Sequence, residues 1–404
     1  DKKDAAAIHF PGAKTLFEMV ESPREHNVLY HNNGDGTFTN VTEKSGLKGS
    51  GWSGDVAVFD YDEDGYLDVL VTNMFGRSRL YHNNRNGTFT DVTERTLGRT
   101  SWGAIGARAF DFNNDGKLDL FIVDMHSDMW VTASKTLPII LEQKKYNYVN
   151  GPLPENDPKV LELEKLYADR FQIKYDQVRF GNTFFKNLGG GRFEEISDKA
   201  GLETFWPWGI ATGDFDNDGH EDVFIPSGMG FPFVYWRNYL MMNNADETFT
   251  DRSRIFGIEP PAGGKYLKEP IAGVLAPRSS RTAAVADFNG DGRLDIVTNN
   301  FNDHPYFFKN NFPRRNYVAF QLQGTKSNRD AIGAIVRLHI GKEIMTRQVN
   351  PAGGYLSQSS KTIHFGLGDR GQIDYAEVKW PSGQLERIDQ PETNRLHRMV
   401  EKRD

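Results

Sequence analysis

The amino-acid sequence predicts an all-β fold: a β-propeller of about five blades, with six or seven left open by pattern alone, then a small β-sandwich and one partly helical insertion. Three observations predict it. An acidic nonapeptide with a central glycine occurs four times, a hairpin pattern recurs between the copies, and the composition is rich in turn and aromatic residues, with 40 Gly and 28 Phe in 404 residues. Repetition of one strand-rich unit every few tens of residues is the pattern of blades that bury their faces on one another.

The first nonapeptide is Asp60-Tyr-Asp62-Glu-Asp64-Gly65-Tyr66-Leu-Asp68. The others are Asp111-Phe-Asn113-Asn-Asp115-Gly116-Lys117-Leu-Asp119, Asp214-Phe-Asp216-Asn-Asp218-Gly219-His220-Glu-Asp222 and Asp287-Phe-Asn289-Gly-Asp291-Gly292-Arg293-Leu-Asp295. Oxygen-bearing side chains fall at positions one, three, five and nine, and Gly at position six permits a sharp turn. A hard cation that takes six to eight oxygens with loose angular demands suits such a loop, and the predicted ion is Ca²⁺, about four per chain. Position seven varies as Tyr66, Lys117, His220 and Arg293, which fits a ligand acting through its backbone carbonyl. An EF-hand is disfavoured, because that motif needs a twelve-residue loop closed by Glu between helices.

Short apolar, β-branched runs flank the loops: Asp55–Phe59 and Asp68–Thr72, then Leu120–Val123, Val223–Ile225 and Ile296–Thr298, each read as a buried strand. A second motif starts at Leu29, Leu80, Phe184 and Leu240 and places two short strands around an Asn/Gly turn, hence a hairpin. Strand, acidic loop, strand and hairpin make one four-stranded unit of about 50 residues. The chain opens on a hairpin half and the last repeat ends in Tyr306–Asn310, an arrangement that permits ring closure by terminal strands.

The propeller is assigned to residues 1–312, with insertions at about 125–180 and 257–280. In the first, Asp157-Pro158 followed by Val160, Leu161, Leu163, Leu166 and Tyr167 predicts a capped helix. The second is rich in Pro and Gly and reads as a long loop. From 313 to 404 the repeat gives way to strands at Tyr317–Gln323, Ala334–Ile340, Ile344–Val349, Thr362–Gly366, Ala376–Trp380 and Leu385–Ile388, a separate β-sandwich.

Composition excludes several classes. The net charge of −7 has no basic patch behind it, so nucleic acid is not a predicted partner. No run is long enough to span a bilayer as a helix, and the absence of Cys excludes disulfides and thiol chemistry. No nucleophile elbow, phosphate loop or dinucleotide fingerprint occurs. The chain starts at Asp1 without a signal-like segment, which reads as a processed or trimmed form.

The acidic repeats with their Asn-Gly-x-Phe hairpins resemble the FG-GAP/VCBS repeats of integrin-like propellers. Asn328–Ala334, Gly354–Ser359, His364–Gly368 and Val378–Gly383 are similar to the ASPIC/UnbV module of the CRTAC1-like (cartilage acidic protein) family. The resemblance spans about 28–400 and implies a secreted calcium-binding propeller with a sandwich tail; it implies no reaction. Vertebrate members carry a cysteine-rich module that is absent here, so the resemblance points to a bacterial secreted, periplasmic or cell-surface protein.

The expected function is a calcium-binding adhesion or scaffold protein with a protein or glycan partner. One alternative is a carbohydrate-active lyase or hydrolase at the propeller mouth; another is a structural subunit of a larger surface assembly. Trp52, Trp102, Trp206 and Trp208 precede first strands and could offer stacking platforms or inter-blade packing. Asp124-Met-His126-Ser-Asp128 groups two carboxylates and an imidazole, and a polar turn is the preferred reading. Recognition is expected on the parts that differ between units: the two insertions and the Trp-bearing turns.

Overall fold

The computed structural model describes residues 26–125, 146–147, 151–152, 158, 165, 176–204, 206–228, 238–258, 279–301 and 304–403. Of the predicted helix, Pro158 and Lys165 are described and both are helical; the rest of that insertion's apolar stripe, and residues 259–278, lie outside the described residues.

Four blades follow one another. Blade I is a four-stranded antiparallel sheet of Ser53–Phe59, Asp68–Asn73, Arg79–Asn83 and Phe89–Asp91. Blade II uses Ala104–Phe110, Asp119–Asp124, Thr183–Gly189 and Arg192–Glu195, and blade III Ala211–Gly213, Asp222–Ile225, Tyr239–Asn243 and Phe249–Asp251. Blade IV has three strands, Ser279–Ala286, Asp295–Phe301 and Tyr306–Phe308. In each blade the acidic nonapeptide joins the first two strands. The hairpin Tyr30–Asn32/Phe38–Asn40 stands as a two-stranded sheet, and it is the part of the fifth predicted unit that falls among the described residues. Tyr306–Phe308 pairs with blade IV and not with that hairpin, so the terminal strands do not close a ring among the described residues.

A one-turn helix that the repeat pattern did not reveal follows each hairpin: Thr42–Ser45, Thr93–Thr96, Ser197–Ala200 and Ser253–Phe256. The residue two before it caps the backbone, as Asp91 Oδ1 accepts from Thr93 N at 3.0 Å and Asp251 Oδ1 from Ser253 N at 3.0 Å. The helix's first hydroxyl then accepts from the hairpin's first strand, Thr93 from Leu80 N and Ser253 from Leu240 N.

The tail is a sandwich of two sheets, one of Ile363–Gly368, Asn316–Gln323 and Arg395–Val400, the other of Glu343–Gln348, Ile335–Ile340, Tyr375–Lys379 and Leu385–Asp389. Val318, Phe320, Phe365, Val336, Leu338 and Trp380 fill the space between them, and each large apolar side chain so buried contributes about 1.5–3 kcal/mol. Arg395–Val400 is a strand that the sequence pattern does not reveal. It alternates weakly, and its place comes from parallel pairing with Val318–Gln323, a contact that no local pattern encodes.

The segment that joins the two sheets, Asn350–Ser360, lies across the inner strands of the blades. Asp55 of blade I accepts from Gly354 N (2.7 Å) and Tyr355 N (2.9 Å) through Oδ2. Gly354 also donates to Ala107 O of blade II (3.1 Å) and accepts from Ile210 N of blade III (3.1 Å), and Ser360 N donates to Val285 O of blade IV (2.9 Å). Arg108 binds the carbonyls of Asn350 and Ala352. Gly354 has φ +79°, and a Cβ there would lie 1.9 Å from Ile210 O, so only glycine fits. The tail thus fills the space between the first strands of four blades.

Candidate metal centres

All four nonapeptides fold alike. The position-one carboxylate accepts from the glycine N–H: Asp60 from Gly65 at 2.9 Å, Asp111 from Gly116 at 3.2 Å, Asp214 from Gly219 at 2.7 Å and Asp287 from Gly292 at 2.8 Å. Position five accepts from position seven N–H, Asp64 from Tyr66, Asp115 from Lys117, Asp218 from His220 and Asp291 from Arg293, at 2.8–3.1 Å. Position nine, buried in all four copies, accepts from position two and from an Asn of the hairpin; Asp222, for instance, takes Phe215 N at 2.9 Å and Asn243 N at 2.8 Å. The loop backbone is therefore wrapped around its own carboxylates, which fixes where the remaining lone pairs point.

The loops differ in what they bring together. In loop one Asp60, Asp62 and Asp68 offer oxygens within 4.8 Å of one another, and in loop three Asp214, Asp216 and Asp218 do the same. Asp60 Oδ1 and Asp216 Oδ1 are buried without a hydrogen-bond partner, the disposition of oxygens that would face a cation. Asn113 and Asn289 put an amide where loops one and three have a carboxylate, and these amides donate to their own position-five carboxylates, Asp115 (3.4 Å) and Asp291 (3.1 Å).

Burial dominates the electrostatics. It pushes Asp68 and Asp111 up to about 7, and holds Asp119, Asp214 and Asp222 well above the ordinary carboxylate range, with like charges within the loop adding to the effect. Buried carboxylates crowded in this way are costly without a countercharge, and cationic side chains partly supply it. Arg85 holds Asp64 (2.8 Å), Lys117 reaches Asp115 (3.1 Å), Arg315 reaches Asp216 (3.0 Å) and Arg293 holds Asp291 (2.5 Å). The position-seven side chains are thus not idle: Lys117 and Arg293 fold back on their own loops, Tyr66 lies under Arg85, and His220 Nδ1 meets Asn114 Nδ2 at 3.1 Å.

Two sets of residues escaped sequence reasoning. His82, in the hairpin of blade I, puts Nδ1 3.3 Å from Asp62 and 3.4 Å from Asp68 and joins a second cluster with Asp62 and Asp64. The other set is the hairpin Asn. Asn187 Nδ2 donates to Leu118 O in its own blade and to Tyr61 O in the preceding one (3.0 Å); Asn243 does so to Glu221 O and Phe112 O (2.8 Å), and Asn310 to Leu294 O and Phe215 O (2.6 Å). Each ties one acidic loop to the next blade. The signal was present, since Asn32, Asn83, Asn187, Asn243 and Asn310 recur at one place in the hairpin motif.

The sandwich sits on the loops. Thr346 N donates to Asp111 Oδ2 (3.0 Å), Gly368 N to Asn217 O (2.7 Å) and His364 Nε2 meets Asn217 Oδ1 at 2.7 Å, while Lys379 lies 3.7 Å from Asp60. Arg347, buried, pairs with Glu221 of loop three at 3.2 Å.

The remaining candidates are structural where described. Trp102 and Trp206 are buried, Trp52 meets Phe75 edge-on at 5.3 Å, and Trp208 donates to Gly228 O and packs on Tyr355, so these rings serve packing rather than an open stacking platform. Asp124 is buried and accepts from Gly103 N and Gly181 N; His126 and Asp128 lie outside the described residues. Among the described residues no helix is long and apolar enough to cross a membrane.

Repeats, loops and tail together define an FG-GAP-repeat protein with a C-terminal ASPIC/UnbV domain. The FG-GAP-like repeat family matches residues 18–71, 60–122 and 175–225, and the ASPIC and UnbV family matches 324–404. The chain is similar to Cartilage acidic protein 1 of Homo sapiens, at 24% identity over 326 residues, covering 79% of this chain and 39% of the relative. It is similar to Cartilage acidic protein 1 of Xenopus tropicalis at 24% identity over 361 residues, covering 86% of this chain and 44% of the relative. The chain therefore spans about two fifths of the length of these relatives. Bap1, a V. cholerae biofilm matrix protein of known structure, aligns over 92% of this chain and 59% of its own with 11% identity and a TM-score of 0.28, too remote to bear on the fold.

Proposed function

We propose that the protein is an extracellular calcium-binding scaffold, secreted or held at a cell envelope, that presents a surface to a protein or glycan partner. In this reading the four loops hold Ca²⁺ through the carboxylates and amides of positions one, three, five and nine and the carbonyls of Tyr66, Lys117, His220 and Arg293. The observation that carries it is the pair of convergent carboxylate trios, Asp60/Asp62/Asp68 and Asp214/Asp216/Asp218, each with a buried oxygen that no hydrogen bond satisfies. A dication there would supply the countercharge that burial demands. The ions are structural in this account: each loop spends its carboxylates within one blade and carries the docked tail.

The carbohydrate-active alternative places a site at the propeller mouth, and the tail's Asn350–Ser360 occupies the space between the inner strands. Partner binding is therefore assigned to outer surfaces. Calorimetric titration with CaCl₂ after EGTA treatment tests the proposal, with thermal melting alongside. An ion bound only by the folded state at one hundred times its Kd stabilises by about 2.7 kcal/mol per site. Absence of binding heat together with a melting temperature unmoved by EGTA in Mg²⁺ would refute it. Glycan-array and surface-protein capture, with a cleavage assay on any bound glycan, then separates scaffold from enzyme.

A further inference from the structure

Loop one differs from the other three in the side chain that its own hairpin brings to it. The residue before the hairpin Asn is His82 in blade I, Lys186 in blade II, Met242 in blade III and Lys309 in blade IV, so blade I alone of the four places an imidazole there. His82 Nδ1 lies 3.3 Å from Asp62 Oδ2 and 3.4 Å from Asp68 Oδ1, and Tyr61 holds the ring edge-on at 6.0 Å. The nitrogen is buried and aimed between the two carboxylates, yet it makes no hydrogen bond among the described residues.

The same two carboxylates converge with a third. Asp60, Asp62 and Asp68 offer oxygens within 4.8 Å of one another. Asp60 is only 7% exposed; its Oδ2 accepts from Gly65 N, whereas its Oδ1 is buried with no hydrogen-bond partner among the described residues. Asp64 is already engaged, through Oδ1 by Tyr66 N and through Oδ2 by Arg85. The donors left to a cation at this loop are therefore three carboxylates and one imidazole.

Donor chemistry decides which cation such a set prefers. Calcium is a hard ion bound through oxygen, and an imidazole nitrogen adds little to its shell. Zinc and its transition-metal neighbours take imidazole and carboxylate together. Ligands bonded at about 2.0–2.1 Å to a tetrahedral ion stand about 3.3–3.4 Å apart, the spacing that His82 Nδ1 keeps from Asp62 and Asp68. We propose that His82, Asp60, Asp62 and Asp68 form a mixed imidazole–carboxylate site that selects a zinc-class dication over Ca²⁺. This rests on the reading of loop one as a cation site and gives it a preference that loops two, three and four do not share, since Lys or Met replaces the imidazole there.

Calorimetric titration of the full chain with ZnCl₂, after EDTA treatment and return to excess CaCl₂, tests this. One Zn²⁺ per chain should bind against the Ca²⁺ background. His82→Asn should lower that affinity by on the order of tenfold or more, since even the outer partners of metal ligands are worth as much; a melting curve in CaCl₂ shows whether the variant folds. X-ray absorption of the zinc-loaded unmodified chain reads the shell without any variant, and one imidazole among oxygens is expected. Failure of Zn²⁺ to bind over Ca²⁺, undiminished Zn²⁺ binding in folded His82→Asn, or a shell of oxygens alone would each overturn the proposal. Ca²⁺ uptake without Zn²⁺ selectivity would overturn it while leaving the calcium reading intact, whereas Zn²⁺ uptake through His82 in a chain that takes no Ca²⁺ would support it and sink that reading.

Discussion

Replacing Asn243 with Ala should destabilise the propeller far more than the same change at Asn32, although the two residues occupy one position of the hairpin motif. Asn243 is 8% exposed and makes three side-chain hydrogen bonds: Nδ2 to Phe112 O (2.8 Å) and Glu221 O (3.1 Å), and Oδ1 from Ala245 N (2.9 Å). Truncation loses all three and strands two carbonyls at a buried joint, where an unsatisfied group costs about 1–3 kcal/mol; allowing for partial relaxation, the expected loss is about 3 kcal/mol. Asn32 makes one exposed bond, to Gly34 N, and its loss should cost under about 0.5 kcal/mol. Denaturant unfolding in saturating Ca²⁺ measures both as shifts in midpoint at constant slope. Equal shifts for the two variants would refute the joint as described, because the difference rests on two buried carbonyls, Phe112 O of the neighbouring blade and Glu221 O of the same blade, that Asn32 has no counterpart for.

Three further outcomes are expected. Gly354→Ala should loosen the tail, since its Cβ would meet Ile210 O at 1.9 Å against backbone that cannot yield; faster proteolysis at 350–360 with calcium binding retained would show it, and an unchanged digest would count against the axial placement. Asp62→Asn should weaken one of the two four-carboxylate calcium sites and Asn113→Asp should strengthen a three-carboxylate one, because ligand charge tunes affinity; titration heats that ignore both changes would remove these residues from the ligand set. Glu401 gives a pH test. Burial would raise its carboxyl, but hydrogen bonds from Ser382, from Ser327 N and Oγ and from Thr325 N outweigh this and hold it at about 2, against an ordinary value of 4.5. A depressed folded value means its contribution is whole above about pH 4.5 and is lost as the pH falls toward 2. Glu401→Gln should flatten the acid limb of stability over that window, and an unaltered limb would contradict it.

Much of the molecule is legible from local chemistry. Short apolar, β-branched runs set the strands, Asn/Gly turns set the hairpins, and Asp at fixed offsets around Gly65, Gly116, Gly219 and Gly292 set four loops that fold as one. These features depend on contacts within about ten residues, so a chain pattern can carry them. What only the tertiary structure decided is non-local. His82 joins loop one from a strand that pairs alongside it, and the hairpin Asn187, Asn243 and Asn310 reach the acidic loop of the preceding blade. Arg395–Val400 becomes a strand by pairing with residues some eighty positions earlier. Asn350–Ser360 has the composition of an ordinary loop, and its role follows from the gap between four inner strands that Gly353 and Gly354 are small enough to enter. Turn propensity is written in the residues of the turn, whereas the occupant of a cavity is chosen by the walls that distant segments build.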